Sequence, residues 1–282
     1  MIPGTCGEWV QGTWEGVPCL VSCSVGLWVR VVTYLSGQSH PWKLRASRPK
    51  ATRALALALR ARGYAGWGAL MIDNPLPMAR GYASSTADVA GTIYAVGRAL
   101  GEPFSAGEVA RLAVQVEPTD SSLFPQLTLF AHRTAEIIRP LGDPPPASVV
   151  IVDPGGEVDT LAFNRADHGA VMRSLVPRHR DAFQMLMDGV RLGDLPLMAR
   201  AATESALAHQ AVLPNPLVTA AAALARCWGA LGICRAHSGT IVGLICHPEA
   251  AEHVVRRAGA HFRGCGVTHV RCVPGAPAAQ VT

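Results

Sequence analysis

The sequence predicts an α+β protein organised as two lobes that join near residue 145. Three observations lead there. Segments rich in β-branched and aromatic residues occur in mixed order with segments of helical period. A triple proline, Pro144-Pro145-Pro146, interrupts both. The 282 residues suffice for one large core or two modest ones.

Residues 20–34 read as β because Val, Leu, Trp, Thr and Tyr dominate them. Residues 51–62 are rich in Ala, Leu and Arg and predict a helix, with Arg53, Arg60 and Arg62 as its solvated face. Residues 68–73 form a short apolar strand running into the turn residues Asn74 and Pro75. Val89, Ile93, Val96 and Leu100 then mark a helical stripe that Gly101 stops. Ser105 and Glu108 have capping-box spacing, opening a helix that Glu117-Pro118 breaks. Past the triple proline come a strand at 148–153 and helices at 165–175, 181–192, 196–212 and 216–231. A strand at 240–246, a helix at 248–262 and a strand at 267–273 complete the chain. The implied lobes are 1–145 and 146–274, followed by a flexible tail at 275–282.

Composition excludes several classes. Hydrophobic residues make up 49% and charged residues 16%, which describes a packed globular chain. The net charge of +5 is spread without a basic run, so no nucleic-acid partner is expected; a polyanionic small ligand fits the excess. No stretch approaches roughly 18 apolar residues, and no secretory signal opens the chain, so a cytoplasmic protein without a membrane partner is expected. Eight cysteines follow no zinc spacing and read as reduced, buried thiols.

The most informative segment is Pro77-Met78-Ala79-Arg80-Gly81-Tyr82-Ala83-Ser84-Ser85-Thr86. It joins a strand to a helix start, where unpaired amides and the helix dipole favour an anion. Gly81 permits close backbone approach, Arg80 offers a charge-assisted contact, and the hydroxyls can meet phosphate oxygens or Mg²⁺. Ser85 and Asp88 alternatively form a capping box. Neither a GxxxxGK[ST] loop nor a GxGxxG helix opening is present.

This segment resembles the second motif of the GHMP kinases. Pro3-Gly4-Thr5-Cys6-Gly7-Glu8 resembles the first motif, and the stretch from Ala236-His237-Ser238-Gly239-Thr240 to Leu244 resembles the third. Within that superfamily, residues 3–12, 83–88, 117–121 and 155–164 are similar to the L-threonine kinases of cobalamin biosynthesis. The resemblance implies an N-terminal lobe like ribosomal protein S5 domain 2 and a ferredoxin-like C-terminal lobe. It implies ATP and Mg²⁺ as cofactors and phosphorylation of the L-threonine hydroxyl to O-phospho-L-threonine, towards the aminopropanol linker of cobalamin. Another small alcohol such as homoserine, or a non-catalytic nucleotide-binding regulator, are the alternatives, and a homodimer is compatible with either.

The roles follow from that resemblance. Pro77, Arg80, Gly81, Tyr82, Ala83, Ser84, Ser85 and Thr86 would bind ATP phosphates. Asp120 would act on the hydroxyl, although an Asp after Pro118 also suits a turn. Ser85 and Glu117 would hold the metal, yet Glu117 stands closer to Asp120 than the metal glutamate of better-known members does. Glu8, Asp159, Asn164 and Arg165 would recognise the acceptor's ammonium and carboxylate; Glu8 and Asp159 equally suit turns. Thr5 stands where mevalonate-type kinases carry a lysine, and the chain's two lysines, Lys43 and Lys50, fall in no motif. His237 reads as a structural hydrogen-bonding residue.

Overall fold

A computed structural model describes residues 1–37, 48–156 and 168–276. Nine strands among them form one sheet: β1 (Ile2–Trp14), β2 (Val17–Ser36), β3 (Trp67–Asp73), β4 (Leu127–Phe130), β5 (Ile138–Gly142), β6 (Ser148–Asp153), β7 (Gly232–Arg235), β8 (Val242–Cys246) and β9 (Gly266–Arg271). Their order is β5-β4-β2-β1-β7-β8-β6-β9, with β3 on the far half of β2, and the pairs are antiparallel. The β1–β7 contact joins strands from either side of the triple proline into one sheet.

Three helices lie in the first half: α1 (Pro49–Ala61), α2 (Ser84–Ala99) and α3 (Ala106–Ala113). Helices Gly169–Ser174, Val176–Leu192, Leu195–His209, Pro216–Leu224 and Ala251–His261 follow. The Ser105–Glu108 capping box forms as its spacing predicts. One buried apolar cluster draws only on residues 54–135, another only on 150–262, and the largest on both halves. The hydrophobic effect that drives burial of β1 and β2 therefore also anchors the site-bearing elements.

Two expectations need correction. The helix predicted over 216–231 ends at Leu224; a 3-10 turn at Arg226–Trp228 and Gly229 at φ 79° redirect the chain into β7, whose four buried residues are too few to show alternation. Arg62 is not part of a solvated face: it stacks 3.7 Å over Phe104 and bonds Glu108 at 3.0 Å. Arg53 and Arg60 are exposed as expected.

Candidate active site

The three sequence motifs meet at one loop. The amide of Thr5 donates to the carbonyl of Tyr82 at 3.0 Å, and its hydroxyl donates to that of Gly81 at 3.1 Å. From the other side, the amides of Thr240 and Ile241 donate to the carbonyl of Arg80 at 3.0 and 3.1 Å. Close approach demands the glycines. A Cβ on Gly81, at φ 102°, would sit 2.2 Å from Ala236 Cβ, and one on Gly239 would meet the Arg80 carbonyl at 2.3 Å.

This clamp shapes the start of α2. Ala83, its N-cap residue, is left-handed at φ 58°, as is Ala79 at 59°, a conformation costing alanine about 1–2 kcal/mol. No side chain caps the helix, and the first helical hydrogen bond runs from Ala87 to Ala83. The alternative capping box therefore does not form. Asp88 instead accepts from Asn74 Nδ2 at 2.7 Å and pairs with Arg48. The amides at Ser84 to Thr86 consequently stay available to an anion, where the helix dipole concentrates positive potential.

A cavity of about 630 Å³ opens at this first turn. Pro77, Gly81, Tyr82, Ala83, Ser84, Ser85 and Thr86 line it, together with Glu8, Glu117, Asp120, His132 and His237. Arg80 does not: its guanidinium reaches Asp153 at 3.3 Å, and Asp153 also accepts from the Tyr82 hydroxyl at 3.1 Å. Asp159, Asn164 and Arg165 lie outside the described residues.

Asp120 begins a 3-10 turn, Ser121–Leu123, on a loop that His132 anchors through a 2.9 Å bond from the Thr119 amide to its carbonyl. Its carboxylate accepts from the Thr86 hydroxyl at 2.9 Å. Glu8 projects from β1 where the register with β2 shifts on both sides of it, and such bulges re-aim side chains. Burial first, then the Asp120 charge, push the Glu8 carboxyl well above the usual carboxylate range. Burial also raises Asp120, to about 6; Glu117 adds to that while Thr86 and Glu8 oppose it. The two carboxyls are neighbours whose titrations belong to the pair, and burial is the first cause of the upward shift in each.

Glu117 stands beside this pair. One carboxylate oxygen accepts from the Ser85 hydroxyl and the other pairs with Lys50 of α1. Ser85 and Glu117 thus present adjacent oxygen donors of the kind Mg²⁺ takes. Among the described residues no group of three or more His, Cys, Asp or Glu is placed to hold a metal. His237 lies on the cavity wall with Nδ1 2.5 Å from Gln11 Oε1, and its carbonyl 2.8 Å from His209 Nε2. Burial holds His237 near 4 and His132 well below the ordinary imidazole value, so both are neutral.

Lys50, Arg48 and His132 escaped the sequence reading. Only the fold brings α1 against the first turn of α2, and no spacing signals it.

A model for the GHMP kinases N terminal domain matches residues 50–124, and one for the GHMP kinases C terminal matches 186–264. The L-threonine kinase of Salmonella typhimurium is 31% identical over 243 residues, covering 86% of this chain and 81% of that protein. Among solved structures, homoserine kinase from Cytophaga hutchinsonii superposes with a TM-score of 0.73 at 17% identity, covering 96% of this chain and 94% of that one. A protein designated MDDEF, solved with MVAPP, AMPPCP and magnesium, gives 0.71 at 14% identity, covering 98% and 95%. These two structures share the fold. No helix among the described residues is long and apolar enough to cross a membrane.

Proposed function

This chain belongs to the GHMP kinases and is a small-molecule kinase, and we propose that it transfers the γ-phosphoryl group of ATP to the side-chain hydroxyl of L-threonine. The products are O-phospho-L-threonine and ADP. The chemistry rests on one observation: Asp120, with Glu8 beside it, shares a cavity with the uncapped first turn of α2. Phosphoryl transfer asks for little more than positioning and charge neutralisation.

In this reading the amides at Ser84 to Thr86 and the Ser84 hydroxyl take the phosphates, and Ser85 with Glu117 would hold Mg²⁺, which would neutralise phosphate charge. Asp120 accepts the hydroxyl proton or orients it. Glu8 lies beside Asp120 on the same cavity, where its carboxylate can meet the acceptor's ammonium. Asp159, Asn164 and Arg165 complete the acceptor set by resemblance alone.

The choice of threonine is supported by the Salmonella relative, which is named an L-threonine kinase. A role in making the aminopropanol linker of cobalamin follows if threonine is the acceptor. Initial rates of ADP release with L-threonine, L-serine, L-homoserine and 1-amino-2-propanol test this, with threonine expected to give the highest kcat/KM. Homoserine in first place would replace threonine as the acceptor. ATP binding without turnover on any alcohol would favour a regulator.

A further inference from the structure

Two basic residues stand at the start of α1, Arg48 at its N-cap and Lys50 in its first turn, with no acidic residue there to offset them. Cations at a helix N-terminus oppose the macrodipole. Lysine is also scarce, supplying two of the chain's 25 basic residues. Local helix energetics therefore give no reason for a lysine at position 50, and its surroundings do. Lys50 and Arg48 line the same cavity as the first turn of α2. They are the charged cations among its described lining residues, because Arg80 is turned to Asp153 and the two histidines are neutral.

Each cation is held by a carboxylate beside that turn. Lys50 pairs with Glu117, which also accepts from Ser85; Arg48 pairs with Asp88. With side-chain exposures of 44% for Lys50 and 36% for Arg48, neither is locked in place.

We propose that Lys50 is the triphosphate-binding cation of this kinase, and that Glu117 exchanges it for the metal. When the Glu117 carboxylate turns to Mg²⁺, the ammonium passes to the nucleotide phosphates a short swing away. A lysine suits that exchange: it is a compact point charge with three donors on a flexible stem, able to follow a phosphate as a fixed guanidinium fork is not. It also supplies the charge that Thr5 and Arg80 do not bring to the cavity. The inference rests on ATP as donor and is independent of which alcohol accepts.

Calorimetric titration of ATP into the full chain, in EDTA and again in Mg²⁺, tests it with K50M, E117Q and the double variant. K50M should weaken ATP binding about tenfold, the loss of one charge-assisted contact. R53M, which removes an exposed charge from the same helix, should stay within about twofold. In EDTA, E117Q should tighten ATP binding about threefold or more by releasing Lys50, and that gain should vanish in K50M/E117Q. Two results overturn the proposal: K50M binding ATP like wild type, or an equal E117Q gain in both backgrounds, which would be mere relief of repulsion. Should K50M not fold, E117Q alone decides, and a metal-free affinity no better than wild type sinks the exchange. No arm contains an acceptor, so a wrong acceptor leaves these results unchanged; wild type failing to bind ATP would instead defeat the reading of ATP as donor.

Discussion

Thr86 and Asp120, 34 residues apart, hold each other reciprocally: the Thr86 hydroxyl donates to Asp120 Oδ2 at 2.9 Å and accepts from the Asp120 amide at 3.1 Å. The first residue is on the phosphate helix and the second is the candidate acid–base group. Their link fixes the acceptor's proton-taking group relative to the phosphates, the geometric condition for transfer.

Replacing Thr86 by Val removes a donor that stabilises the charged carboxylate. The Asp120 pKa should then rise above its value of about 6. The acidic limb of the kcat/KM profile should move to higher pH, and kcat at pH 8 should fall roughly tenfold. A limb that stays put would mean that the hydroxyl does not serve the ionised form.

Asp120→Asn separates catalysis from stability. Turnover should fall about 10²–10⁴-fold while ATP still binds. The folded-state pKa is raised from 3.8 to about 6. Burial of the charged form therefore costs nothing below about pH 4 and its full amount above about pH 6, about 3 kcal/mol. The variant should accordingly melt above wild type at pH 8, with the difference closing towards pH 4. Thermal denaturation across pH reads this directly, and an unchanged turnover would remove Asp120 from the mechanism.

Arg80→Met should leave ATP affinity within about twofold, since the side chain is committed to Asp153 outside the cavity. The pair is partly exposed and its loss should cost about 1 kcal/mol or less. A tenfold weakening in a binding titration would show that Arg80 leaves Asp153 to reach phosphate.

Gly81→Ala combines a positive φ of 102° with a Cβ placed 2.2 Å from that of Ala236. Strain and overlap together should destabilise the fold by about 3 kcal/mol, a drop of roughly 6–12 °C in Tm. A melting point equal to wild type would contradict the interlocking of the three motifs.

How much of this was legible beforehand follows from range. The α2 stripe, the Ser105 capping box and the Gly101 stop are local, and each stands where periodicity and turn chemistry put it. The β1 strand escaped because its buried run carries Gly4, Gly7 and Gly12, which favour turns in isolation; here Gly7 admits the Arg235 backbone, Gly12 the His179 ring and Gly4 the Leu76 side chain. At the site, residue types and motif order pointed to the phosphate loop. Partnership did not show, because Arg80 turning outward and Lys50 turning inward depend on which elements pack together. No spacing along the chain encodes Asp153 beside Arg80 or Glu117 beside Lys50.

The central claim is that the cavity delivers a phosphoryl group to the hydroxyl of threonine. Phosphorus NMR of a reaction containing ATP, Mg²⁺ and L-threonine tests it most directly. The expected result is a phosphomonoester resonance matching authentic O-phospho-L-threonine, growing in step with ADP and absent with Asp120→Asn. ADP appearing at the same rate without threonine, with no such resonance, would contradict it.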